Sequence, residues 1–364
     1  MFNVLTQVAQ AFGISGSLKA YNELTSGHVH HTYKVDFIDE NGREASYIVQ
    51  KMNTFAFRKP IELMNNIALV TDYLRTKNPD RVNLQFFKTV EQQTPYLMDG
   101  DCFWRLFNYI PSRTYNLCDD LDIIYGAGAA FGEFQGQLKD FPAEMLVETI
   151  PNFHNTCSRY EALIASAKAD PRNRFHEVRS EYNWYLSVRE KACTLTRLLQ
   201  DGKLPLRVTH NDTKINNVLF DENSKKPLVV VDLDTVMPGI AAHDFGDAIR
   251  FAANSVEEDH IPATDARLNL PVYQAFAEGF LRDTASSFTK LEIETLALGA
   301  FVMTVECGVR FLADYLDGDV YFKTDYEKHN LDRSRCQMEL AKDMLLKEQE
   351  MNAIVTRVAS MNKR

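Results

Sequence analysis

"VTHNDTKINNVLF", residues 208–220, sets the reading of the whole chain. His210, Asp212 and Asn217 spell H-x-D-x-x-x-x-N, an aspartate followed by an asparagine between two apolar edges. Downstream, the run "PLVVVD" (227–232) ends in Asp232, with Asp234 two residues on. Asp and Asn both favour turns, so the string alone also suits a polar turn between strands. The flanks shift the balance, because "VLF" and "PLVVVDLD" supply a second strand pair that ends in acids. Phosphoryl transfer needs one carboxylate to orient the attacking hydroxyl and oxygen ligands to hold magnesium on the phosphates. Asp212 is the expected base, and Asn217 and Asp232 are the expected metal ligands. Two ligands are enough, since Mg2+ keeps water and phosphate oxygens in its shell. Asp234 is the second choice of ligand.

Further on, "HDFGD" (243–247) contains letters that mark a metal aspartate in protein kinases. Here the string opens "DAIRFAAN", which reads as a helix, so Asp244 is expected to cap a helix or to hydrogen-bond the 208–220 loop.

Upstream, "HTYKVDFIDENGREASYIVQKMN" (31–53) alternates apolar and polar residues on both sides of Asn-Gly, a hairpin signal. "PIELMNNIALVTDYLRTK" (60–77) has helical spacing with Pro60 in the first turn. "NLQFFKTV" (83–90) and "CFWRLFNYI" (102–110) read as strands. From about residue 111 the texture turns helical, notably over 121–141 and 175–202, where Gly202 is placed to stop the second helix. The expected architecture is α+β and bilobal: residues 1–110 form a small lobe of antiparallel sheet plus helix, and residues 111–364 a larger, mainly helical lobe.

The chain carries 50 acidic against 40 basic side chains, a net charge of −10, which disfavours a nucleic-acid partner. The apolar stretches read as too short for a membrane span, and the N-terminus lacks a signal-peptide pattern, so no membrane partner and a cytoplasmic location are expected. Six scattered cysteines form no CxxC pair, which argues against a zinc ribbon or redox motif.

Taken together, "HNDTKINNVLFD", "VVVDLDTVMPG", "HDFGDAIRF", "RFLADYLDGDVYF" and "HNLDRSRCQ" resemble the aminoglycoside phosphotransferase and choline kinase superfamily, which has the protein-kinase fold. Within it the sequence is most similar to the N-acetylhexosamine 1-kinases, also through "GHVHHTY" and "YIVQKMNTFAF". The resemblance implies ATP and Mg2+ as cofactors and a small-molecule sugar as substrate. It implies that Lys51, which shares a strand face with Tyr47 and Val49, contacts the α and β phosphates, with Glu62 as its ion-pair partner. The phosphate-covering loop "SGHVHHT" offers Gly27 alone where a protein kinase has three glycines, so Ser26, His28 or Thr32 would help. Three alternating histidines without a cysteine or acid cluster make a poor metal site. Lys214 would neutralise the transferred phosphoryl group, while Arg310 and Tyr321 would hydrogen-bond sugar hydroxyls and Phe251 would pack on the N-acetyl group. Aminoglycoside, choline, methylthioribose or homoserine acceptors would use the same core residues, and a binding protein without turnover would share the fold.

Overall fold

The computed structural model describes residues 1–24, 29–116 and 118–363; the expected phosphate-loop residues Ser26 and Gly27, with His28, lie outside them. The Asn41-Gly42 dipeptide turns the chain with Gly42 at φ +77°. It joins β2 (His31–Ile38) to β3 (Glu44–Lys51) as an antiparallel pair. With β1 (Ser17–Leu24), β4 (Leu97–Asp99) and β5 (Cys102–Asn108) they form a five-stranded sheet in the order β1-β2-β3-β5-β4. The expected strand over 83–90 does not form. One edge of β5 is shared, with β4 taking Cys102–Trp104, while Phe87 donates to Leu106 and Asn108 to Gln85. Each of the two segments is thus left too little edge for a long ladder.

The sheet's two faces differ. Tyr33, Val35, Val49, Trp104 and Leu106 pack with Leu5, Val8 and Ala9 of α1 (Phe2–Ala11), so this face is closed by a helix. The alternate residues Thr32, Lys34, Ile48, Gln50, Arg105 and Phe107 face a cleft. Beside it, α2 (Pro60–Lys77) buries Leu63, Met64 and Ile67 in the same apolar core as the C-terminal helices. The Asn66 amide ties α2 to the Val147 and Val236 carbonyls.

The helices after the sheet are α3 (Leu121–Gln137), α4 (Thr156–Ala169), α5 (Arg179–Ser187), α6 (Arg189–Ala192) and α7 (Thr194–Gln200). The single helix expected over 175–202 is therefore three short pieces, each packed against the central helix described next. The remaining ones are α8 (Ala241–Ala252), α9 (Leu270–Thr284), α10 (Lys290–Asp317), α11 (His329–Leu346) and α12 (Glu348–Asn362). α10 starts at a capping box, Thr289 with Glu292, and is long and apolar enough to cross a membrane, but most of its apolar window is buried inside the protein. Two helix crossings are close enough to require glycine: a Cβ on Gly132 of α3 would run into the Phe280 backbone, and one on Gly246 of α8 into that of Gly299. Short strands β6 (Arg207–Thr209), β7 (Val218–Phe220), β8 (Pro227–Val230) and β9 (Met237–Gly239) pair as β6–β9 and β7–β8 and hold the 210–217 loop between them.

Candidate active site

Between the sheet and these short strands lies a cleft of roughly 490 Å³. Its upper and outer walls are apolar, with Leu24, Ile48, Phe86, Phe107 and Ile110, and its floor carries Asp212, Asp232 and Asp234. A flat apolar ring at one end and a polyanion with metal at the other would be matched by such a lining.

The loop at the floor is held by side chains at every backbone polar group from the His210 N–H to the Thr213 N–H. The Asp244 carboxylate accepts from the N–H groups of His210 and Asn211 at 2.9 and 2.8 Å. Thr235 donates to the His210 carbonyl, and the His154 ring bonds that of Asn211. The Asp212 N–H donates to His210 Nδ1 and its carbonyl accepts from Asn217 Nδ2, while the Thr213 N–H donates to Asp247. Asn211, at φ +64°, makes the bend that this arrangement fixes. Asp244 and Asp247 come from the first two turns of α8, and Gln135 of α3 bonds Asp244 at 2.7 Å. Asp244 is thus spent on the loop, one of the two tasks expected of it, and is not the cap of α8, which is Ile240.

Asp212 keeps its carboxylate at the cleft, where one oxygen meets Lys214 at 3.0 Å and the other Asn217 Nδ2 at 3.3 Å. Burial alone would lower the Lys214 ammonium, but Asp212 and Asp247 outweigh it and hold it above its ordinary value. Asp232 follows β8 in a left-handed conformation, φ +60°. Its carboxyl opens into the cleft yet is enclosed by the walls; this enclosure and the charges of Asp234 and Asp212 push it up to about 6. A divalent cation would relieve that repulsion. The Asn217 amide spends its N–H₂ on Asp212, leaving its carbonyl oxygen as the acceptor end. Among the described residues no three His, Cys, Asp or Glu side chains form a metal cage by themselves. One carboxylate and one amide oxygen fit Mg2+ that takes its remaining ligands from phosphate and water.

The structure does not bring Lys51 or Glu62 to this floor. Lys51 pairs with Trp104 across the ladder and lies on the face that α1 covers, the side of Val49 and Tyr33. Because strand side chains alternate, it cannot share the cleft face with Gln50. Among the described residues no ion pair joins it to Glu62, which sits in the first turn of α2. The cation that the sheet does bring onto the acidic floor is Arg105, from the middle of β5. Its guanidinium grips both oxygens of Asp234, one at 3.0 Å, and its Nε donates to Gln50 at 2.8 Å. His30 adds a 2.6 Å bond to Asp234, while its Nδ1 accepts from the Asn53 N–H. Burial would raise the Asp234 carboxyl, but Arg105 and His30 outweigh it and hold it well below the usual range. Asp234 is therefore taken up by the sheet. The signal for Arg105 was in the sequence: an arginine inside "CFWRLFNYI" needs a partner if the strand is buried.

On the other side of the loop, Arg250 of α8 pairs with Asp247 at 3.0 Å and Glu258 at 2.6 Å. Arg250, Phe251, Asn254, Glu257, Gln337 and Asn116 line a hollow of roughly 210 Å³. In it the Asn254 and Gln337 side-chain carbonyl oxygens are buried without a partner. Phe251 is thus half-buried at a polar hollow. Arg310, on α10, lies over the rings of Phe322 and Tyr321 at 5.3 and 5.9 Å, and Tyr321 is largely exposed.

The family model described as "Phosphotransferase enzyme family" matches residues 23–279, well over half of the chain and all of the loop and cleft floor. The chain belongs to this phosphotransferase family. Solved structures similar to this phosphotransferase include amicoumacin kinase hAmiN in complex with AMP-PNP, Ca2+ and Ami, 13% identical, covering 93% of this chain and 92% of that one with a TM-score of 0.61. The microcompartment-associated aminopropanol kinase is 14% identical, covers 98% and 100%, and has a TM-score of 0.61. Choline kinase from Cryptosporidium parvum Iowa II is 13% identical, covers 91% of each chain and has a TM-score of 0.54. At these identities the likeness shows the fold, which is the expected α+β kinase-like one.

Proposed function

We propose that this phosphotransferase moves the γ-phosphoryl group of ATP to the anomeric hydroxyl of an N-acetylhexosamine, GlcNAc or GalNAc. The observation that carries the reading is the place of Asp212. It lines the nucleotide-sized cleft and, through Thr213, Asp247 and Arg250, adjoins the polar hollow.

In this reading Asp212 orients the sugar hydroxyl and takes its proton as the oxygen attacks phosphorus. An anomeric hydroxyl is more acidic than an ordinary alcohol, so a carboxylate suffices as base. Lys214, already paired with Asp212, balances negative charge on the group in transfer. Asn217 and Asp232 would hold Mg2+, which when bound neutralises the phosphate oxygens. Arg105, fixed by Asp234 and Gln50, supplies the rigid positive charge that Lys51 was expected to give. Phe251 would pack on the acetamido methyl, and the unpartnered oxygens of Asn254 and Gln337 would accept from hydroxyl or amide N–H groups. Arg310 and Tyr321, stacked on each other, do not line this hollow and are given no contact with the sugar.

A second reading, an amine-bearing alcohol such as the aminopropanol and choline of the similar kinases, draws support from Glu257 on the wall of the hollow. ADP release in the presence of Mg2+, measured with GlcNAc, GalNAc, glucose, choline, aminopropanol and kanamycin, tests the choice. Turnover with the acetylated sugars is expected, and turnover confined to the amines would overturn the acceptor assignment.

A further inference from the structure

Glu306 lies in the middle of α10, a long and largely apolar helix, and is 1% exposed. A carboxylate in such a place needs strong partners. One oxygen accepts from Thr156 Oγ1 at 2.6 Å; the other faces His154 Nδ1 at 3.0 Å. The opposite ring nitrogen of His154, Nε2, lies 3.2 Å from the Asn211 carbonyl. Burial alone would raise the Glu306 carboxyl, yet the His154 and Thr156 bonds outweigh it and hold it at about 2, so it is a carboxylate. A carboxylate and a carbonyl are both acceptors only. Each ring nitrogen of His154 must then donate, which requires a hydrogen on both.

We propose that His154 is a positioning residue held as an imidazolium, which locks the peptide bond between Asn211 and the base Asp212. The same peptide is gripped at its other end, where the Asp212 N–H meets His210 Nδ1. Rotation of this one peptide plane would swing the Asp212 carboxylate, because Asn211 is already at a left-handed bend. The charge matters as well as the bonds: a neutral imidazole has one hydrogen and would leave unmet either the Asn211 carbonyl or the Glu306 oxygen that Thr156 does not reach, and a lost buried bond to a charged group is costly. The other groups around the ring fit a cation there. Asp247 of α8 lies near enough to be affected by its charge, and so does His243, held neutral by burial first and by the His154 charge next, with its ring centre 5.0 Å away. Arg159 of α4 faces the same Glu306 but spends its own NH2 on the Phe153 carbonyl. His154 does not touch the proposed substrates, so it acts through Asp212.

The assignment of Asp212 as base belongs to the proposed function, and the test separates the two claims. Long-range proton–nitrogen NMR of nitrogen-15 histidine-labelled protein, assigned with His154→Gln, reads the ring directly in neutral buffer and needs no substrate. Two protonated-type nitrogens are expected, and Glu306→Gln is expected to convert the ring to one protonated and one bare nitrogen. A wild-type ring with one bare nitrogen overturns the imidazolium. Under the kinase assay, His154→Gln is expected to lower kcat by roughly 10- to 100-fold with little change in KM for ATP, since the nucleotide walls are untouched. A folded His154→Gln protein with wild-type kcat overturns the positioning role; a loss confined to KM for ATP does so too.

Discussion

Arg105 and Asp234 form a two-armed ion pair that fastens the fourth-paired strand of the sheet to the turn directly after Asp232. It is the link between the cleft's roof and its acidic floor, and both side chains are almost fully buried. Breaking such a pair from one side strands the other charge. Arg105→Leu is therefore expected to cost about 3–5 kcal/mol in chemical denaturation, and Arg105→Leu combined with Asp234→Leu to cost less than Arg105→Leu alone. If the double variant is the sum of the two single ones, the charges are not paired in solution.

Lys51 gives the complementary expectation. Its side chain lies on the α1 side of the sheet, so Lys51→Ala should leave KM for ATP close to wild type, whereas Arg105→Lys, which cannot grip both oxygens of Asp234, should raise it. Steady-state kinetics on the two purified variants decides this. A large rise with Lys51→Ala would return that lysine to the nucleotide site.

In the proposed function Asp212 and Asp232 divide chemistry from metal binding. Asp212→Asn keeps the shape and the Asn217 bond but removes the base, and kcat should fall by about 10²–10⁴-fold while nucleotide binding persists. Asp232→Ala should instead abolish Mg2+-dependent nucleotide affinity by calorimetry. Loss of metal dependence in Asp244→Ala but not in Asp232→Ala would reverse the two assignments.

His243 makes the protein sensitive to acid. Burial, then the neighbouring His154 charge, lowers its pKa to about 3 from an ordinary 6.5, and its Nε2 has no partner. Between those values the unfolded chain binds a proton that the folded chain refuses, so stability falls as pH falls through the window, by up to about 1.4 kcal/mol per pH unit. Melting temperatures from pH 7 downward should therefore drop less steeply for His243→Leu than for wild type. Parallel curves would mean that His243 is not the group responsible.

Gly246 sets the height of α8 on α10. A methyl group there would meet the Gly299 backbone, so Gly246→Ala should destabilise the fold by about 1–3 kcal/mol and, by moving Asp244 and Asp247, also lower kcat. Gly42→Ala, in the open hairpin turn, is the comparison: it strains the backbone but should leave kcat unchanged.

Much of this site is visible in the sequence because it is local. The Asn-Gly hairpin, Pro60 opening a helix, and the Asp212–Asn217 spacing depend on neighbours a few residues away. Lys51 misleads for a reason that is not local. Alternation shows that it shares a face with Tyr47 and Val49, but which face is covered depends on α1, more than forty positions earlier, folding over it. The Arg105–Asp234 and His154–Glu306 pairs are likewise 129 and 152 residues apart, beyond any periodicity. The strand expected over 83–90 was lost to a competitor, β4, for the same edge of β5.

The proposed function is transfer of phosphate to an anomeric hydroxyl with Asp212 as base. Phosphorus NMR of the product formed from ATP, Mg2+ and N-acetylgalactosamine or N-acetylglucosamine tests it most directly, with Asp212→Asn run beside the wild type. The wild type is expected to form a sugar 1-phosphate whose phosphorus couples to the anomeric proton, and Asp212→Asn to form almost none. Phosphate on another sugar hydroxyl, no sugar phosphate at all, or equal product from Asp212→Asn would contradict it.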